Sequence, residues 1–296
     1  MSRILPDFLI VGAPRSGTTL LYEVLSAHPD VFMSPIKEPG YFCNGKVRDL
    51  DDYLALFERA ETHVISGEAT TLYLYDKQAA GRIHEHNPRM NLVAVLRDPV
   101  ERAYSHYLQH VVLGSNVDES FEQSLAGESA RIVQGRSPFT YYRQLGCYGS
   151  QILRYLQHFP REQLLFLLHD DLKQNPAAIC RRLFQFLGVN SDVAVRTGVN
   201  RNPSGMPKNK RLHRLLMEPG KGKGLLKQIL PGALQRRIHL ALLERNLSRP
   251  PLSDATRKML IRFYRPEVEM TAELIGRDLS AWLSVSGSVG TPATAR

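Results

Sequence analysis

The run Phe8-Leu9-Ile10-Val11-Gly12-Ala13-Pro14-Arg15-Ser16-Gly17-Thr18-Thr19-Leu20-Leu21-Tyr22-Glu23-Val24-Leu25 decides the fold. Four apolar residues in a row, Phe8 to Val11, read as a buried strand. Leu20 to Leu25 carries helical spacing. A glycine-rich turn between strand and helix aims backbone N–H groups and a helix N-terminus at one point, which suits an anion. The nucleotide-triphosphate form of such a loop is G-x-x-x-x-G-K-[ST]. Gly12, Gly17 and Thr19 fit it, but Thr18 stands where the lysine belongs, and the cation sits inside the loop as Arg15. That substitution separates the chain from ordinary ATP chemistry.

Further strand-like runs lie at His63–Ser66, Leu92–Leu96 and Leu164–Leu168. Helical patterns alternate with them at Thr19–Ser26, Tyr53–Phe57, Gln78–His86, Val100–His110, Ser150–His158 and Pro176–Leu187. This order predicts an α/β fold with a central parallel sheet flanked by helices. Ligands in such sheets bind beyond the carboxyl ends of the strands. Helical patterns resume at Leu225–Leu230 and Leu234–Asn246, and a final amphipathic segment, Asp254–Trp282, is expected to break at Pro266. One domain over 1–283 is expected, followed by a tail, 284–296, whose Gly, Ser, Thr and Ala content reads as disordered.

The chain has 296 residues and a net charge of +9, from 38 Lys and Arg against 29 Asp and Glu. Much of the excess falls between Arg201 and Arg237, which points to a polyanionic ligand. No helix-turn-helix, zinc-finger or RNP-like signature supports nucleic acid. No apolar run approaches the roughly 18 to 20 residues that span a bilayer. Cys43, Cys147 and Cys180 are odd in number and lack metal-ligand spacing, which favours reduced thiols. With no leader-like segment before the first strand, the expectation is a cytoplasmic, bacterial-type protein without a bound metal. Oligomeric state is not legible.

A second anchor follows the strand Leu92–Leu96. There Arg97-Asp98-Pro99 opens a helix carrying Arg102, Ser105 and His106. Asp98 suits a cap and Pro99 the first helical position, so Arg97 is fixed at a strand end facing the ligand crevice. A guanidinium fork with the Ser105 hydroxyl reads phosphate well. Together, Pro-Arg-Ser-Gly-Thr-Thr and Arg97 with Ser105 resemble the two nucleotide motifs of the sulfotransferases that use 3′-phosphoadenosine 5′-phosphosulfate (PAPS).

That resemblance implies a P-loop, nucleotide-kinase-like sulfotransferase fold. It implies that the first motif (Arg15, Ser16, Gly17, Thr18, Thr19) holds the 5′-phosphosulfate and the second the 3′-phosphate. Ser34-Pro35-Ile36-Lys37-Glu38-Pro39-Gly40-Tyr41-Phe42 is similar to a segment of glycan sulfotransferases in which a glutamate is the base, which implies that role for Glu38. Gly67-Glu68-Ala69-Thr70-Thr71-Leu72-Tyr73 resembles the family's next strand-to-loop segment, with Ala69 where some glycan-modifying members carry lysine. Leu145 to Ser150 resembles the middle region that helps hold adenosine and brings in Tyr148. Asn202 to Lys208 resembles a late loop that closes on the nucleotide, with Lys208 and Arg211 as candidate anion contacts.

The chemistry expected is in-line, metal-free transfer of a sulfuryl group from PAPS to a hydroxyl or amine, with a carbohydrate or other small polar acceptor. It needs an oriented donor, cations on the transferring group and a base. His106 rivals Glu38 as base because its ordinary pKa is well placed, although it sits between Tyr104 and Tyr107 and can equally pack. Two other classes stand beside this one. A kinase would want the loop lysine and a magnesium carboxylate, for which Asp98 is the one tempting residue. A non-enzymatic polyanion binder would bind in a salt-sensitive way without depending on Arg15 or Glu38.

Overall fold

A computed structural model of the chain describes residues 5–43, 45–114, 119–194, 205–209, 212–213, 216, 241–243 and 245–285. Five parallel strands form its sheet, in the order β2-β3-β1-β4-β5. They are β1 (Phe8–Gly12), β2 (Val31–Met33), β3 (Ile65–Ala69), β4 (Asn91–Leu96) and β5 (Leu164–Leu168). The helices are α1 (Thr18–Ser26), α2 (Leu50–Ala55), α3 (Ala79–His86), α4 (Pro99–Val112), α5 (Phe121–Ala126), α6 (Glu128–Val133), α7 (Tyr148–Leu156), α8 (His169–Gln174), α9 (Pro176–Leu187) and α10 (Asp254–Ile275). A second, two-stranded antiparallel sheet pairs β6 (Met206–Pro207) with β7 (Leu247–Ser248).

The residues group into two compact units. One comprises Met1–Arg102, Arg143–Asn200 and Lys258–Arg296; the other comprises Ala103–Tyr142 and Arg201–Arg257. The first holds the whole parallel sheet. Its core is made by Phe8, Ile10, Val93, Val95, Leu165 and Leu167 against Leu21, Leu25, Leu183 and Phe184, all buried. Each such side chain contributes roughly 1.5–3 kcal/mol when fully withdrawn from water. Because β1, β4 and β5 are covered on both faces, they read as continuous apolar runs.

Two departures from the sequence expectation are informative. β3 begins at Ile65, two residues later than expected, and runs on through Gly67 and the fully buried Glu68. A Cβ on Gly67 would lie 2.5 Å from the Phe8 ring across the parallel pair Phe8↔Gly67, so only glycine lets the strands meet there. α10 does not break at Pro266 but continues to Ile275. Leu260, Tyr264 and Val268 are buried on either side of the proline, and Glu267 accepts from the Ser150 backbone N–H at 2.9 Å, so packing holds the helix across the missing hydrogen bond. The helical patterns at 225–230 and 234–240 and the tail beyond Val285 lie outside the described residues. No helix among the described residues is long and apolar enough to cross a membrane.

Candidate active site

Strand order places the site. β1 sends its chain toward β2 on one side and β4 sends its chain toward β5 on the other, so the adjacent carboxyl ends of β1 and β4 flank the crevice where such sheets bind ligands. Arg15 follows β1 and Arg97 follows β4.

The β1–α1 turn has the form of an anion cradle. Gly17 is the N-cap of α1 with φ 108°, a left-handed conformation natural to glycine, and no side chain caps the helix. A Cβ there would also lie 2.9 Å from Leu172 Cδ2 and 3.3 Å from His169 Nδ1. Arg15 takes φ 68°, costly for a residue with a side chain. Ser16 and Thr18 are buried, and the Ser16 hydroxyl finds no hydrogen-bond partner among the described residues.

The second anchor reaches back to the first. Arg97 Nη1 donates to the Arg15 carbonyl at 3.0 Å, and its other terminal nitrogen lies 4.0 Å from Glu101. Asp98 caps α4 as expected, accepting from the N–H groups of Val100 (2.8 Å) and Glu101 (3.3 Å). Tyr148, the first residue of α7, is buried beside Ser16, Arg97 and Arg102. Burial pushes its phenol up to about 12, against the pull of Arg102.

Glu38 is also at positive φ, 61°. Its backbone N–H donates to the Ala69 carbonyl at 2.9 Å, and its carboxylate accepts from the Thr71 N–H (2.8 Å) and from the Thr71 hydroxyl (3.2 and 3.3 Å). Lys37 Nζ pairs with Glu38 Oε1 at 2.8 Å. The carboxylate is therefore held at the carboxyl end of β3 with a quarter of its side chain exposed.

Sequence reasoning missed three residues here. Thr71 orients Glu38 from 33 positions away. Glu68 lies beneath it. His169 opens α8 directly after β5, and burial and the charges of Arg97 and Lys173 push its ring down to about 3, so it is neutral beside the cradle. Its place just past a strand's carboxyl end was the available signal.

The remaining predicted residues lie in the second unit. Ser105 and His106 ride on α4, both buried. The His106 ring packs edge-on against His110 (4.8 Å) and Tyr142 (5.5 Å), the arrangement of a packing histidine. Lys208 donates from its backbone to Asn246 and from Nζ to the Arg245 carbonyl at 2.9 Å. Arg211 lies outside the described residues.

A family model described as "Sulfotransferase domain" matches residues 5–213, and thus covers both anchors, the Glu38 turn and β3. The chain belongs to the sulfotransferase domain family. It is 28% identical over 277 residues to heparan sulfate glucosamine 3-O-sulfotransferase 3B1 of Mus musculus, covering 94% of this chain and 65% of that protein. It is 27% identical over 341 residues to carbohydrate sulfotransferase 15 of Homo sapiens, covering 95% of this chain and 55% of that one. The chain thus spans less than two thirds of the length of these curated relatives. A solved sulfotransferase from Alicyclobacillus acidocaldarius superposes with a TM-score of 0.72 at 30% identity, covering 95% of this chain and all of that one. The sulfotransferase fold expected for the chain is the fold it has.

Proposed function

We propose that this sulfotransferase moves a sulfuryl group from PAPS to a hydroxyl of an anionic, glycan-type acceptor in a cytoplasmic setting. The observation that carries the reading is the joining of the two anchors: Arg97 locks the carbonyl of Arg15 at the crevice between β1 and β4. In this reading the N–H groups of Ser16 to Thr19 and the Arg15 guanidinium hold the 5′-phosphosulfate and stabilise charge on the leaving bridge oxygen. Arg97 reads the 3′-phosphate. The neutral ring of His169 and the buried Tyr148 shape the cradle without adding charge to it.

Glu38 takes the proton of the acceptor hydroxyl as the sulfur–oxygen bond forms. It is preferred to His106 because its carboxylate reaches solvent, while the His106 ring is closed in by its neighbours. Lys37 lies on Glu38, and Lys46 Nζ reaches the Lys37 carbonyl at 3.5 Å, so cations flank the base, as an anionic acceptor requires. The names of the glycan-modifying relatives point the same way. Cys43, Cys147 and Cys180 form no disulfide, which suits the cytoplasmic setting.

The test is calorimetric binding of adenosine 3′,5′-bisphosphate, ADP and Mg-ATP to wild type and Arg97→Ala. It is paired with transfer of labelled sulfate from PAPS to a heparan-type oligosaccharide by wild type and Glu38→Gln. Only the 3′-phosphorylated nucleotide should bind tightly, and Arg97→Ala should weaken it about 10- to 100-fold, the value of a charged hydrogen bond. Glu38→Gln should abolish transfer and leave that affinity intact. Equal binding of Mg-ATP would overturn the donor assignment.

A further inference from the structure

Glu68, the last residue but one of β3, is fully buried and surrounded by hydroxyl groups. Its Oε2 accepts from the Thr70 hydroxyl at 2.9 Å. Its Oε1 makes no aligned hydrogen bond among the described residues, with the phenols of Tyr53 (α2) and Tyr73 beside it. Two of these hydroxyls have a second task. The Thr70 oxygen accepts from the Gly40 backbone N–H at 3.1 Å, and the Tyr73 oxygen accepts from the Phe42 N–H at 3.4 Å. The side chains that surround Glu68 are therefore the ones that hold the backbone just after Glu38.

We propose that Glu68 is a positioning residue for Glu38, orienting the Thr70 and Tyr73 hydroxyls that pin the turn carrying the Glu38 carboxylate. The inference rests on the reading of Glu38 as the base. Carboxyl and hydroxyls form one chain: Glu68 to Thr70 to Gly40 on one side, and Glu68 past Tyr73 to Phe42 on the other. Glu38 itself then closes onto Thr71, the residue after Thr70. A turn held at Ala69, Thr70, Thr71 and Tyr73 keeps a strained φ that solvent-exposed backbone would relax.

Burial pushes the Glu68 carboxyl up to about 8. The Tyr73, Thr70 and Tyr53 hydroxyls oppose that rise, and the charge of Glu38 adds to it. The other ionisable groups facing it are Cys43, Tyr53, Tyr73 and Tyr155, and burial raises each of them further still. His86, packed on Tyr41, Phe42 and Tyr53, is held below its usual value. At neutral pH the carboxyl therefore keeps its proton. Above about 8 it becomes an anion facing Glu38, and the grip loosens.

The experiment is backbone amide exchange on wild type, Glu68→Gln and Glu68→Ala, read as protection factors. Alongside it run binding of adenosine 3′,5′-bisphosphate and sulfuryl transfer to a heparan-type oligosaccharide. In Glu68→Ala the amides of Glu38, Gly40 and Phe42 should lose about tenfold in protection, the scale of one hydrogen bond. Amides of β1 and β4 and nucleotide affinity should hold, and kcat should fall with the KM for PAPS unchanged. Glu68→Gln, which mimics the protonated acid, should keep the protection. Raising the pH through 8 should loosen the same amides in wild type and not in Glu68→Gln. Equal protection in all three proteins, or equal loosening of β1 and β4, would overturn the proposal. The expected exchange pattern without any sulfuryl transfer by wild type would uphold the positioning and overturn the role of Glu38 as base.

Discussion

Replacing Glu68 by glutamine should make the protein more stable at neutral and alkaline pH, by an amount that grows between pH 4.5 and about 8 and then levels off. In the unfolded chain this carboxyl titrates near its ordinary 4.5, whereas in the folded chain burial raises it to about 8. Between those values the folded protein holds a proton that the unfolded chain has released. The unfolded state binds fewer protons there, so this residue's contribution to stability is fully present below pH 4.5 and is lost as pH rises toward 8. At roughly 1.4 kcal/mol per pH unit, the full window amounts to an upper bound of about 5 kcal/mol. Glutamine has the same shape, accepts from Thr70 and donates toward the phenols, but takes up no proton. Urea unfolding at pH 5, 7 and 9 should therefore give nearly equal midpoints for the two proteins at pH 5. At pH 9 the variant should lead by several kcal/mol, provided that the slopes m are unchanged. Parallel stability curves across that range would refute the reasoning, because they would mean that water reaches the carboxyl and it titrates normally.

Gly17→Ala should cost about 1–2 kcal/mol of stability for forcing a side chain into the left-handed region. It should also weaken adenosine 3′,5′-bisphosphate binding, since its Cβ presses on Leu172 and His169 at the cradle; calorimetry and urea midpoints check both. Thr71→Val keeps the 2.8 Å backbone bond to Glu38 and deletes the hydroxyl contacts at 3.2 and 3.3 Å. It should lower kcat about tenfold with unchanged KM for PAPS, the loss of one hydrogen bond to a charged group, measured in steady-state transfer.

The parts legible in the sequence were those whose causes are local. β1, β4 and β5 announce themselves as apolar runs because both faces of those strands are covered. Gly188 ends α9 in the left-handed conformation natural to glycine at a helix end, with φ 72°. The positions of Arg15 and Arg97 were legible because Arg15 lies in the turn after β1 and Arg97 directly follows β4. β2 was missed: Val31-Phe32-Met33 is too short at an edge to separate from a turn. β3 was placed too early because Gly67 and Glu68 look like a loop, and only their tertiary neighbours make them strand. Thr71 meets Glu38, and Thr70 beside Glu68 meets Gly40, across some 30 positions, and no spacing rule reaches that far.

Among the described residues, only two that are not glycine adopt positive φ, and they are Arg15 and Glu38. Strain of this kind costs on the order of 1–3 kcal/mol per residue and persists only where surrounding bonds over-determine it. Those bonds are present in both cases. Arg97 donates to the Arg15 carbonyl, and Ala69 and Thr71 hold Glu38 at backbone and carboxylate. Glycine would take either conformation at far lower cost, so conformation alone does not account for the residues found there. What the two positions share is charge of opposite sign at the carboxyl ends of the sheet. A cradle for an anionic donor and a base for an acceptor proton need such charges in fixed places before substrate arrives. The strain thus falls on the same pair to which the proposed chemistry assigns its charges.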